Sequence, residues 1–177
     1  MLFSETHLSG AFLIEPEPIE DERGSFARIW CRREFADNAI SAEFVQSSIS
    51  VSSRRGTLRG MHYQAAPYEE DKLVRCSKGG IHDVIIDLRP DSPTFLQHVE
   101  AVLTADNRMM LYVPKGLAHG FLTLEDDTEV TYSMSEYYEP RYARGVRWDD
   151  PVFAIRWPDE VQVISERDRT YPDFDAP

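Results

Sequence analysis

The chain has 177 residues, 42% of them hydrophobic and 28% charged, the composition of a soluble folded protein. Its 31 Asp and Glu outnumber 19 Lys and Arg, for a formal net charge of −12, which argues against nucleic acid or an anionic membrane as partner. No apolar run reaches the roughly 20 residues of a membrane-spanning helix. The two cysteines, Cys31 and Cys76, form no CxxC, so both are expected to stay reduced in the cytoplasm.

Taken in chain order, the pattern is mostly β. The apolar run Ala11-Phe12-Leu13-Ile14 is short and flanked by acids, so no secretory signal is expected. EPEPIEDE (15–22) reads as an acidic, proline-broken loop. The best helical segment, residues 32–38, is too short for a core helix. Strand-like runs follow at 44–52, 57–64, 72–77, 81–89, 98–104, 109–114, 119–125, 129–135 and 154–157. Turn chemistry separates them, as in Lys78-Gly79-Gly80, Pro114-Lys115-Gly116 and Glu125-Asp126-Asp127. Many short strands with turns between them predict an all-β sandwich or barrel with few peripheral helices. One domain spanning 1–177 is expected. The polar tail after Trp157-Pro158 reads on pattern alone as a surface extension.

Within RGTLRGMHYQ (55–64), preceded by Arg54, three arginines lie close to His62. Such a cluster either lies on a solvated sheet face or holds a small phosphorylated ligand against the acidic field of the chain. Pro114-Lys115-Gly116-Leu117-Ala118-His119 fits the PxGxxH half of the cupin signature, which belongs to double-sheet jelly rolls. The other half is incomplete. His62-Tyr63-Gln64 offers one histidine and a glutamine, and Lys72 stands where the carboxylate ligand would be. An ammonium cannot coordinate a cation and Gln is a poor replacement for imidazole, so no metal is expected.

The chain resembles the dTDP-4-dehydrorhamnose 3,5-epimerase family of nucleotide-sugar enzymes. The motifs that carry the resemblance run from DERGSF (21–26) through GTLRGMHYQ (56–64), KLVRC (72–76), DVIIDLRPDSPTF (83–95) and VPKGLAHGF (113–121). They continue through Tyr132, Tyr137-Tyr138 and WDDPVFAIRWP (148–158) to ISERD (164–168). The resemblance implies a metal-free, cofactor-independent, cupin-like double-sheet jelly roll that acts as a homodimer. Its N-terminal arm, about residues 1–30, would be shared with the partner subunit.

The activity implied is inversion at C3, C5 or both of a nucleotide-linked 4-keto-6-deoxyhexose, with a nucleotide-diphosphate sugar as the binding partner. In that scheme His62 is the base and Asp168 the carboxylate that orients it. Lys72 faces the C4 oxygen, and Tyr132 donates the proton on the opposite face. Arg59 grips the diphosphate, helped by Arg23 (from the partner subunit), His119 and Arg167, while Gln46 and Tyr138 lie near the nucleoside. Strict alternation would put Arg59 and His62 on opposite faces of their strand. A shared pocket therefore requires a bulge or bend, and Gly60 is where it is expected.

Three positions depart from the family pattern. Arg28 replaces a glutamate near the base, Ser48 replaces an asparagine in QxN, and Ala143 replaces a glutamate after the tyrosine pair. All three bear on recognition, so the nucleotide base stays open, thymidine first and guanosine or cytidine as alternatives. Competing readings are a keto-sugar isomerase, which Gln64 disfavours, a non-catalytic sugar-nucleotide binding module, and a metal-dependent cupin oxygenase.

Overall fold

The computed structural model describes residues 1–175. In chain order its elements begin with β1 (Leu2–Glu5), β2 (Phe12–Glu15), β3 (Ile19–Asp21), β4 (Gly24–Phe26), α1 (Arg32–Asp37), β5 (Gln46–Ser52), β6 (Thr57–Gln64), β7 (Lys72–Lys78) and β8 (Gly80–Asp87). Then come β9 (His98–Thr104), β10 (Met110–Val113), β11 (Leu117–Thr123), β12 (Thr128–Met134), β13 (Ala143–Gly145), β14 (Val163–Ile164) and α2 (Glu166–Arg169). One sheet has the order β1-β2-β10-β7-β12-β5. The other runs β13-β6-β11-β8-β9, with β14 added in parallel to β6. This is the double-sheet jelly roll expected from the sequence.

Alternation explains how the layers pack. Along β8, Ile81 and Ile85 point between the sheets, where they meet Val74, Leu111, Val113 and Val130 of the first sheet. Val84 and Ile86 point the other way, onto Met61, Ala118, Val146 and Phe153. Both faces are covered, so every residue of β8 is buried, and its sequence shows no apolar–polar alternation. On the outside of the first sheet, Phe35 of the short α1 packs with Ile14, Ile40, Leu73, Met110 and Tyr112. The β7–β8 turn requires Gly79 at φ 74, a left-handed conformation that side chains disfavour.

Eight of the nine strand-like runs form strands, with ends shifted by a few residues. The exception is 154–157. Those residues have no regular structure, Ala154 is left-handed at φ 51, and the segment instead lays Phe153, Ile155 and Trp157 over the outer face of the second sheet. EPEPIEDE also corrects the expectation, because its second half is β3, paired with β4 as a hairpin. The tail after Trp157-Pro158 is not a mere extension: β14 joins β6, and α2 packs against the same strand.

Candidate active site

One mouth of the sandwich opens into a cavity of about 550 Å³. The first sheet lines it with Ser50, Lys72 and Tyr132, and the second with Thr57, Leu58, Arg59, His62, His119 and Phe121. The remaining wall is Val163, Ile164, Ser165, Arg167 and Asp168.

A local irregularity in β6 brings Arg59 and His62 into the same cavity. His62 pairs with His119 and Arg59 with Phe121, so two residues of β6, Gly60 and Met61, span the single Gly120 of β11. This is the two-against-one count of a β-bulge. Gly60 sits at φ 150, and a Cβ on it would lie 2.6 Å from the Gly120 Cα, so no side chain fits at that crossing. The extra residue restores Arg59 and His62 to one face and turns Met61 into the outer cluster.

His62 Nε2 lies 2.7 Å from Asp168 Oδ1. The other carboxylate oxygen, Oδ2, accepts from the Gly60 N–H at 3.4 Å. Ser165 caps α2 by accepting from the Asp168 N–H at 3.0 Å, which fixes where the carboxylate projects. Burial pushes the Asp168 carboxyl up, but the bonds from His62, Gly60 and Ser165 outweigh it and hold the group below its ordinary value. His62 is therefore held through one ring nitrogen, leaving the other for chemistry.

Lys72 is buried, yet its Nζ donates to the His62 carbonyl at 3.1 Å and pairs with Glu70 at 3.3 Å. Burial raises the Tyr132 phenol above its usual value, with Arg59 pulling down and Glu70 pushing up. Tyr132 therefore keeps its proton at neutral pH. Arg59 is steadied by Ser52 Oγ and the Val51 carbonyl, both at 3.1 Å.

Of the residues singled out from sequence, Arg59, His62, Lys72, His119, Tyr132, Arg167 and Asp168 share this cavity. Tyr138 is exposed and lines a smaller adjoining cavity of about 250 Å³, which shares His62 and Arg167 with the first. Four residues do not line the cavity of their own chain. Arg23 is 84% exposed on the β3–β4 hairpin and bonded to Asp21. Arg28 is exposed and donates to Glu34 at 2.7 Å, while Gln46 and Ser48 lie along β5 outside the lining. Among the described residues, no group of three or more His, Cys, Asp or Glu is arranged to hold a metal ion.

Sequence reasoning missed Asp83, whose Oδ1 lies 2.7 Å from His119 Nε2 with both groups buried. A signal was present, since Asp83 shares the inward face of β8 with Ile81 and Ile85, where an acid needs a partner. It also missed Glu70 beside Lys72, and Tyr171, whose ring stands 6.4 Å from that of His62. Neither position has a local pattern that would mark it.

The sequence profile described as dTDP-4-dehydrorhamnose 3,5-epimerase matches residues 5–176. A dTDP-4-dehydrorhamnose 3,5-epimerase of Methanothermobacter thermautotrophicus is 42% identical over 172 residues, covering 96% of this chain and 92% of its own. The crystal structure of the Bacillus anthracis dTDP-4-dehydrorhamnose 3,5-epimerase with TDP and PPi bound superposes with a TM-score of 0.95 at 41% identity, over 98% of this chain and 99% of that one. The Legionella pneumophila dTDP-6-deoxy-D-glucose-3,5-epimerase, in complex with dTDP-4-keto-L-rhamnose, gives a TM-score of 0.88 at 36% identity, over 94% and 89%.

Proposed function

The chain belongs to the dTDP-4-dehydrorhamnose 3,5-epimerase family, and from that membership we propose that it inverts C3 and C5 of dTDP-4-dehydro-6-deoxyglucose to give dTDP-4-dehydrorhamnose. The C4 ketone acidifies the hydrogens on both neighbouring carbons. His62 takes one of them, the charge moves onto the C4 oxygen beside the Lys72 ammonium, and Tyr132 returns a proton to the opposite face. The base and the acid each contribute roughly 10²–10⁴ in rate, and the fixed cation at the developing oxyanion adds several kcal/mol. Asp168 positions the base. Arg59 and Arg167 hold the diphosphate, and His119, backed by Asp83, donates beside them.

The observation that carries this reading is one cavity in which Lys72 and Tyr132 from one sheet face His62 from the other, with Asp168 bonded to the imidazole. A binding module would need the arginines but not this base–orienter pair with a protonated phenol.

The protein is proposed to act as a cytoplasmic homodimer that supplies a deoxysugar for polysaccharide synthesis. Two observations support the dimer. The β3–β4 hairpin that carries Arg23 presents Ile19 and Phe26 more than 70% exposed, and β5 exposes Ile49 and Val51. Both are apolar surfaces of the kind that subunit contacts cover. In the dimer Arg23 would enter the partner's cavity.

The test is solvent-deuterium incorporation into dTDP-4-dehydro-6-deoxyglucose, read by NMR at each carbon. Label at C3 and C5 is expected, and His62→Ala should abolish it while leaving dTDP affinity nearly unchanged. Label at one carbon would reduce the activity to a mono-epimerase, and exchange surviving in His62→Ala would remove His62 as the base.

A further inference from the structure

Gln64 stands where a metal cupin would carry its second histidine, and it is only 3% exposed. Its amide is fully engaged. The Nε2 group faces three oxygens: the Tyr68 carbonyl at 2.9 Å, Glu70 Oε2 at 3.2 Å and the Tyr137 carbonyl at 3.2 Å. Its Oε1 accepts from the Glu139 N–H at 2.7 Å. A flipped amide would set oxygen against three oxygens and hydrogen against a donor, so the orientation is fixed by its surroundings.

These partners lie on two separate loops that both reach the site. The bonds to Tyr137 and Glu139 clamp the backbone on either side of Tyr138. The bond to Glu70 engages one carboxylate oxygen while the other holds the Lys72 ammonium. We propose that Gln64 is the positioning residue of this active site. Through one buried amide it sets both the Lys72 ammonium at the substrate's carbonyl and the Tyr138 ring at the nucleoside end, in the place of a metal ligand. The inference rests on the epimerase reading of the same cavity.

Because Gln64 acts at both ends of the substrate, its loss should divide between the kinetic constants. In Gln64→Met, which keeps the length and removes the bonds, kcat falls through Lys72 and KM rises through Tyr138. Together they lower kcat/KM by about 10- to 100-fold, the scale of a misplacement near 1 Å. Gln64→Glu keeps the bond from Glu139 but turns a second carboxyl toward Glu70. The charged groups around that position are Glu70 and Lys72 on the β7 side, Glu139 on the Tyr138 loop, and His62, Arg144 and Arg167 across the small cavity. Two carboxylates at that distance share a proton, and the shared proton restores the bond to Glu70 that holds Lys72, though not the bonds to the Tyr68 and Tyr137 carbonyls. The activity of Gln64→Glu relative to the unmodified protein should therefore rise as the pH is lowered.

A folded Gln64→Met variant with kcat and KM both near those of the unmodified protein would overturn the inference. If Gln64→Met does not fold, Gln64→Glu decides: relative activity independent of pH overturns it, and recovery at low pH supports it. Deuterium exchange by the unmodified protein is the control. Its absence would overturn the epimerase reading itself, whereas its presence beside unaltered variants would overturn only the role given to Gln64.

Discussion

Asp168→Asn isolates the orienting carboxylate with almost no change of shape. In the native site the two oxygens serve two donors, His62 Nε2 at 2.7 Å and the Gly60 N–H at 3.4 Å. An amide has one oxygen and one NH₂: with the oxygen toward His62 the NH₂ meets the Gly60 N–H, and with the NH₂ toward His62 the imidazole must take the tautomer that puts its proton on the nitrogen needed as base. The loss is one charge-assisted hydrogen bond to a base that becomes cationic during turnover. At about 1.5–3 kcal/mol for such a bond, kcat should fall about 10- to 150-fold. Affinity for dTDP should not change, because Asp168 contacts the base and not the phosphate-binding arginines. The assay is C3 and C5 deuterium exchange under saturating substrate, with circular dichroism to establish that the variant is folded. Exchange within about threefold of the unmodified protein would refute the orienting role, since no transition-state interaction would then have been lost.

Acid should unfold the protein partly through the same group. The folded-state pKa of Asp168 is depressed, so the unfolded chain takes up the proton first. The stability it contributes is complete above the ordinary aspartate value near 3.9 and is lost as the pH falls through the depressed one; Asp168→Asn should flatten that part of the Tm–pH curve. Tyr132→Phe keeps the ring packed on the core but removes the proton donor, and product formation should fall by roughly 10²–10⁴. His62 can still remove and return hydrogen on its own face, so NMR should show label entering the substrate faster than inverted product appears. Gly120→Ala would bring a Cβ to 2.9 Å from both the Arg59 carbonyl oxygen and the Gly60 Cα. Backbone cannot yield there as a side chain can, and at about 1–3 kcal/mol of overpacking the Tm should drop by about 2–12 °C in a thermal melt.

The parts of this molecule legible in the sequence are those written in local pattern. Turns such as Lys78-Gly79-Gly80 and runs such as 57–64 and 98–104 mark strands because alternation and turn chemistry act within a few residues. Even the bulge at Gly60 could be anticipated, once Arg59 and His62 were assigned one pocket by resemblance. Residues 154–157 read as a strand because Ile155 and Trp157 alternate with Ala154 and Arg156. Their apolar side chains instead serve as a cover over Met61 and Val84, a choice made by tertiary packing. The role of Asp168 was invisible to pattern, since 106 residues separate it from His62. Family resemblance alone pointed to it. Glu70 was hidden for a different reason, because nothing in the acidic stretch 69–71 distinguishes the carboxylate that holds Lys72 from Glu69 and Asp71 beside it.

The pairing of β14 alongside β6 has a consequence for the order of events during synthesis. Every other strand of the two main layers precedes residue 146, whereas the wall that carries Asp168 is made about twenty residues later, on the scale of seconds at ribosomal speed. The barrel-like shell can close while His62 still lacks its carboxylate. A nascent chain at that stage has architecture without reactivity, and competence arrives when a short segment slots against a sheet edge that is already waiting for it.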